Sequence, residues 1–475
     1  HVLMVDAFRN VAGMYTSRGV GYDDFVTMRN FSGSATEKFL TMVDGREVLQ
    51  IMGGTINWTT EDVPLAILDR VEIIRGPGAS IWGTNSVSGV VNVVTKHAAQ
   101  TQGDSVRLII ENDGTFLGEY VHGGQLSDDT FYRFWVRDQE YAEGKLVSGM
   151  DARDDGYARK AGFRFDKELG SDLDLTIAGG FATRRVDHVL DLSSRLFYIN
   201  NDPTNPYGLT PGIPPIIPIG LVPDPTLLNG ANWTPFAVSG DYSTIGGYPR
   251  YQNYEEMPQD GSHLRAKLSG TTENDLEWSI AGYAELYDTS LGHIGHSWER
   301  EEFDLDFRAN KPWGEKNHIA FGLAAKHMSL DVQENVTSPW NFLTFDTIPG
   351  TQTLTSFTPD SNIPIIDYHY QSNPTKFDRF TGFVQNSTDL NEKLSLSLGA
   401  KFEDSDLSGS SIQPGARISY LLDEENILWG AYSRAYRQAS LVEQYTKVSY
   451  ARIYDPASSV WINQSFAGNP SLDDE

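Results

Sequence analysis

Arg18, Tyr22 and Asp23 share one glycine-containing stretch, 17–24, and Asn57 and Trp58 close a second, 51–58. Together they offer charge, a stacking face and hydrogen bonds, the mixture that orients a bound ligand. Loops that merely pack on their neighbours would use the same residues. A third set lies in the stretch 186–261, in Trp233, Phe236, Tyr242, Tyr248, Tyr251 and Tyr254. Prolines between Pro203 and Pro225 limit the entropy this stretch loses on ordering. Exposed aromatics there suit a flat, partly apolar ligand; a rigid lid packed on its neighbours is the other reading. His293 and His296, and His369 between Tyr368 and Tyr370, are weak metal signals, because an H-x-x-H pair outside a helix fixes no ligand geometry. No metal site and no cofactor are assigned from them. Covalent catalysis has no candidate motif. The chain has no G-x-S-x-G with a plausible partner order and no H-E-x-x-H, and Gly76-Pro77-Gly78 lacks the G-K-(S/T) ending of a phosphate loop. An enzyme is not expected.

The elements that would carry these stretches are strands. After residue 103 short runs alternate with a period of two, which puts one set of side chains on each face. Tyr132, Phe134 and Val136 alternate with Arg133 and Arg137; Leu264, Ala266 and Leu268 with Arg265, Lys267 and Ser269; Phe303, Leu305 and Phe307 with Asp304, Asp306 and Arg308. Each run approaches the roughly 10 residues of a tilted transmembrane strand. Tight polar turns at 125–129, 170–172, 273–275, 391–392 and 423–426 alternate with long connections at 142–155, 186–261, 288–297, 332–376 and 404–412. Short turns on one side and long loops on the other is the asymmetry of an outer-membrane barrel. Loops this long are unusual in a compact domain unless they carry function. The spacing predicts thirteen strands, near 104–111, 115–126, 130–141, 156–168, 172–185, 262–271, 275–287, 298–309, 316–331, 377–390, 393–405, 413–423 and 425–434.

Composition is compatible with this and excludes some alternatives. There is no cysteine among 475 residues, so neither a disulfide nor a thiolate is in play. A formal charge of −27 argues against nucleic acid, whose phosphates need Lys and Arg clusters. No run of about 18 apolar residues could form a transmembrane helix.

Residues 69–96 then sharpen the reading. In DRVEIIRGPGASIWGTNSVSGVVNVVTK a strand, a Gly76-Pro77-Gly78 turn, a second bend at Gly83 and Gly89, and a strand with Asn92 at its middle follow one another. The string resembles the block that ends the plug domain of TonB-dependent outer-membrane receptors, (I/V)-E-x-I-R-G-P-x-x-x-x-(Y/W)-G-x-x-x-x-x-G-V-(I/V)-N-(I/V)-(I/V)-T-K. Upstream, Met28-Arg29-Asn30-Phe31-Ser32-Gly33 resembles the family's (I/A)-R-G-F-(S/N)-G, with Asn30 where glycine is usual and itself tolerant of positive φ. Phe39 to Arg46, FLTMVDGR, resembles its L-V-L-I-D-G-R strand and turn.

The resemblance implies a fold and a role. The fold is an all-β antiparallel membrane barrel, of about 22 strands when complete, with a small α/β plug in its lumen. The plug takes 1–103 and the barrel 104–475. An odd strand count cannot close such a barrel, and GNPSLDDE at 468–475 is similar to an outer-loop segment of the family. Further strands are therefore expected after residue 475, and a TonB-contacting box before residue 1. The implied partners are TonB, energised by ExbB–ExbD, the outer-membrane lipid and lipopolysaccharide, and a metal complex or other small ligand such as an iron–siderophore or cobalamin. The implied place is a Gram-negative outer membrane with the long loops outside. Loops 17–24 and 51–58 would point up the lumen, so Arg18, Tyr22, Asp23, Asn57 and Trp58 would floor a cavity walled by Trp233, Phe236, Tyr248 and Tyr251. Glu72 and Arg75, on a strand inside the barrel, would reach charged partners, some on the barrel wall. The alternative is an outer-membrane structural or interaction protein that keeps the receptor fold as a docking surface.

Overall fold

The computed structural model describes residues 3–18, 24–29, 38–76, 78–145, 154–191, 252–291, 296–334 and 375–455, with shorter segments between and after them. Of these, 18, 79, 187–191, 252–256, 291, 296, 334 and 446–455 are described by backbone alone.

The first hundred residues build a small layered unit. A hairpin pairs β1 (Met14–Arg18) with β2 (Asp24–Met28). A four-stranded mixed sheet follows, from β3 (Phe39–Val43), β4 (Arg46–Glu47), β5 (Leu68–Arg75) and β6 (Gly89–Thr95), in the order β4-β3-β6-β5. The apolar runs FLTMV and GVVNVVT form its two inner strands, which pair in parallel and are buried along most of their length. Two one-turn helices, α1 (Trp58–Glu61) and α2 (Ala79–Trp82), complete it.

The second unit is one meandering sheet of thirteen antiparallel strands: β7 (Gly103–Ile110), β8 (Phe116–Ser127), β9 (Thr130–Tyr141), β10 (Gly156–Glu168), β11 (Leu173–Asp191), β12 (Gln252–Thr271), β13 (Glu277–Leu291), β14 (His296–Trp313), β15 (Asn317–Glu334), β16 (Lys376–Asn391), β17 (Leu394–Ser405), β18 (Gly409–Leu421) and β19 (Ile427–Ser433). All thirteen fall where the alternation predicts. Three corrections concern connections, one of them at 288–297, where β13 runs to Leu291 and β14 begins at His296, so that only 292–295 separate the strands. The long loop expected at 404–412 is a tight turn of 406–408, because β18 begins at Gly409, whose φ of 69° closes the turn. The long connection expected from 186 is shorter, since β11 runs to Asp191 and β12 resumes at Gln252.

The faces also follow the alternation. Phe134, Leu264, Phe303 and Leu305 are 41–54 % exposed on the outer face. Arg133 and Arg137, one residue out of phase, are buried against the small unit. The cores of the two units are continuous: Met4, Phe8, Phe39, Trp58 and Val93 share one apolar cluster with Leu117 and Val121 of β8. The sheet therefore wraps the small unit as a wall wraps a stopper.

A prediction follows for the outer face. Leu264 lies near the middle of β12 and is 50 % exposed. Leu264→Arg should cost about 2–4 kcal/mol of folding free energy in lipid vesicles, the penalty for a cation at the bilayer midplane. An unchanged folding titration would place this face away from lipid.

Candidate functional site: the interface between plug and wall

The interface starts from one turn. Asp44 (φ 50°) and Gly45 (φ 87°) join β3 to β4 with positive φ at both central residues, the backbone of a type I′ hairpin turn. The Asp44 carboxylate accepts hydrogen bonds from the Thr95 backbone N–H at 2.8 Å and from its hydroxyl at 2.7 Å, tying the turn to β6. A Cβ at Gly45 would lie 2.7 Å from the Tyr283 hydroxyl on β13, so the turn touches the wall.

That turn delivers two charges into the wall. Arg46 donates to Glu285 of β13 at 2.5 Å and to Glu61 of α1, while Glu285 also pairs with Arg300 of β14. Burial works against the Arg46 charge, yet the two carboxylates hold its pKa above the ordinary guanidinium value. Glu47 accepts from Arg379 of β16 at 2.6 Å and from Lys326 of β15 at 3.3 Å. Burial alone would raise the Glu47 carboxyl, but these two cations hold it well below the usual carboxylate range. Such groups stay charged because each has a partner; unpaired, each would cost several kcal/mol.

Two further sets of ties complete the seam. Asp62 accepts from Arg137 of β9 at 2.5 Å and from the Met4 backbone at 3.1 Å, and its carbonyl accepts from Lys160 of β10 at 2.9 Å. The Lys96 carbonyl accepts from Arg133 at 2.8 Å. On the other side of the plug, Lys401 donates to the Trp82 carbonyl at 3.1 Å and Gln413 to the Thr84 hydroxyl at 3.0 Å. Gly83 has φ 92°, and a Cβ there would lie 2.4 Å from the Lys401 ammonium, so this bend of the 69–96 string is seated directly on β17. Two small cavities with charged residues in their lining lie in the seam. One of about 90 Å³ is lined by Arg46, Asp62, Lys160 and Glu285, and one of about 70 Å³ by Glu47, Asp304, Arg379 and Glu403.

The apex of the plug is covered by the chain itself. Past β19 the backbone turns inward, and the N–H groups of Leu441 and Val442 donate to the carbonyls of Ile51 and Met52 at 3.1 and 3.0 Å. Met52 is buried with Met328, Leu330, Phe377, Leu407 and Leu441. The Ile51–Met52 end of loop 51–58 is thus held by 441–442.

The expected site residues separate accordingly. Trp58 is 2 % exposed and meets Phe8 edge-on at 5.2 Å between ring centres; it is a core residue of the plug, not a stacking surface for ligand. Asn57 caps α1, accepting from the Thr60 N–H at 3.3 Å, and its side-chain amide donates to Gln259 of β12. Arg18 is described by backbone alone, as are Trp233 and Tyr248 within short strands. Tyr22, Asp23, Phe236 and Tyr251 lie outside the described residues, as does Asn30. Beside Asn30 it is Arg29 that takes positive φ, at 60°. Among the described residues, the partners of Glu72 and Arg75 lie inside the plug and not on the wall. Glu72 faces Asn92 across the β5–β6 register and accepts from it at 2.9 Å and from Arg70 at 2.7 Å. Arg75 donates to the Ala12 carbonyl at 3.2 Å. His293 falls outside the described residues and His296 and His369 have no described side chains; among the described residues no three metal-ligating groups cluster.

Sequence reasoning missed Arg46, Glu47, Asp62 and the 434–445 segment. For the first pair the signal was present: two opposite charges directly after an Asp-Gly turn that ends a buried strand. For the segment it was the S-x-x-E spacing of Ser440 and Glu443, a helix-starting capping box.

Comparison with known proteins gives two family matches. The model described as TonB-dependent Receptor Plug Domain matches residues 4–90, and that described as TonB dependent receptor-like, beta-barrel matches residues 219–475, more than half of the chain. The ferrienterobactin receptor of Escherichia coli (strain K12) is 21 % identical over 478 residues, covering 91 % of this chain and 56 % of that protein. The vitamin B12 transporter BtuB of Vibrio vulnificus is 31 % identical over 107 residues, 22 % of this chain and 17 % of its own. Among solved structures, a mutant of the ferric enterobactin receptor PfeA of Pseudomonas aeruginosa aligns with TM-score 0.61 at 14 % identity, over 99 % of this chain and 65 % of that one. The chain therefore spans less than two thirds of the length of each of these proteins.

Proposed function

This chain belongs to the TonB-dependent receptor family, and from that premise we propose that it binds a scarce extracellular metal complex and passes it across the outer membrane when TonB pulls on the plug. The family is one of receptors and transporters, not of enzymes. We assign residues 1–103 to the plug and 104–475 to the barrel, with the short turns in the periplasm and the long connections outside.

One observation carries the reading. The plug is held in its wall by ion pairs and single hydrogen bonds through Arg46, Glu47, Asp62 and Thr84 as well as by packing. Charged contacts can be exchanged for water when the two surfaces part, so a seam of this kind suits a stopper that must move. The relatives' names point to chelates: ferric enterobactin for two, cobalamin for the third. For ligand contacts we retain Arg18, Tyr22, Asp23 and Asn57 of the plug with Trp233, Phe236, Tyr248 and Tyr251 of the long connection. The burial of Trp58 removes it from that set.

The test is uptake in cells of radiolabelled ferric enterobactin, cyanocobalamin and hemin, with and without the receptor gene. Accumulation of one probe should require the receptor, TonB and the proton gradient together. Uptake of every probe that is indifferent to the receptor and to TonB would overturn the proposal.

A further inference from the structure

Residues 434–445 leave the wall after β19 and cross onto the plug, and their contacts are of two kinds. Some brace the segment itself. Arg437 clamps Glu443 with two hydrogen bonds at 2.8 and 3.1 Å, and the Ser440 backbone N–H donates to Glu443 at 2.8 Å while the Glu443 N–H returns to the Ser440 hydroxyl at 3.3 Å. The others hold the plug. Asn85 is 2 % exposed; its backbone N–H donates to the Tyr436 carbonyl at 2.7 Å and its side-chain oxygen accepts from the Gln438 N–H at 2.9 Å. The carbonyls of Ile51 and Met52 accept from Leu441 and Val442, and Leu441, wholly buried, seats beside Met52. A pre-braced piece of barrel thus grips both plug loops, 51–52 and 83–86, with three backbone–backbone hydrogen bonds, one hydrogen bond to the Asn85 side chain and one apolar anchor.

We propose that residues 434–445 are a strap that latches the plug apex to the end of β19, and that Asn85 is its catch: the plug moves only after the Asn85 contacts open. The strap then couples any rearrangement at that end of the wall to release of the plug. This rests on the reading of the plug as the moving gate. Its test needs no ligand, so it decides the strap whatever uptake assays give.

Two variants of the full-length receptor in lipid vesicles are compared with the parent in graded urea, reading hydrogen exchange of 39–43 and 89–95. Asn85→Gly keeps the backbone at its φ of 69° without strain and removes the side-chain half of the catch. A second variant, Gln438→Pro, removes the strap's backbone N–H that donates to Asn85. The urea concentration at which the plug strands exchange should fall by about 0.5–1 M in Asn85→Gly, the scale of one lost buried hydrogen bond. Gln438→Pro should lower it by a similar amount. Plug exchange that matches the parent in both, with barrel strands still protected, overturns the strap.

Discussion

Arg46→Ala should loosen the plug from its wall by about 3–5 kcal/mol, the cost of removing one partner from a buried charge network. Arg46 is 8 % exposed and bridges Glu61 of the plug to Glu285 of the wall. Its loss leaves Glu61 without this cation in a place water reaches poorly. Glu285 keeps Arg300, so the wall suffers less than the plug. The measurement is hydrogen exchange of the plug strands in graded urea, read against the barrel strands of the same sample. Arg46→Lys keeps the charge but loses the two-pronged geometry that serves two carboxylates at once, and should recover only part of the loss. Adding Glu61→Gln to Arg46→Ala should recover more, because it removes the stranded charge rather than replacing its partner. A shift below about 1 kcal/mol for Arg46→Ala would mean that water already screens this pair, and the seam would then not be what holds the plug.

The sequence disclosed the wall better than the seam, for a physical reason. Each wall strand crosses an apolar solvent on one face and a wet or plug-filled space on the other, so its pattern is written locally every second residue. Thirteen strands could be counted from that alone. The pattern fails where strands outrun the membrane. In Val186–Asp191 the sequence does not alternate, and β11 runs on to Asp191, past the end that the pattern predicts. The serine-rich 404–412 reads as a loop in the sequence, although Ser405 ends β17, Ser410 and Ser411 lie in β18, and only 406–408 turn. Seam contacts join residues far apart in the chain: Arg46 with Glu285, Glu47 with Arg379, Asn85 with Gln438. No local pattern encodes such a partner. Glu72 illustrates the limit. Its strand and its charge were legible, but its donors are Arg70, two residues before it, and Asn92, directly across the sheet, and not a group on the wall.

Trp58→Ala should unfold or loosen the plug by about 3–5 kcal/mol and leave ligand affinity unchanged in the fraction that stays folded. Position alone suggested a stacking residue on the floor of the lumen, where the same substitution would weaken binding and spare stability. Burial decides between these outcomes. At 2 % exposure the indole ring has no face to offer a ligand, and it packs edge-on against Phe8 within the cluster that also holds Phe39, Val93 and, from the wall, Leu117. Truncation to alanine removes one of the largest side chains of that cluster, and the wall beside it is held by its own strand pairing and cannot collapse to fill the void. Trp58→Phe is the discriminating control. The indole N–H has no hydrogen-bond partner among the described residues, so phenylalanine forfeits volume but no hydrogen bond and should cost much less than alanine. Differential exchange of 39–43 and 89–95 reports stability, and binding to the purified receptor of whichever probe the uptake assay selects reports affinity. A Trp58→Ala protein with parental plug stability and weakened binding would return Trp58 to the ligand floor.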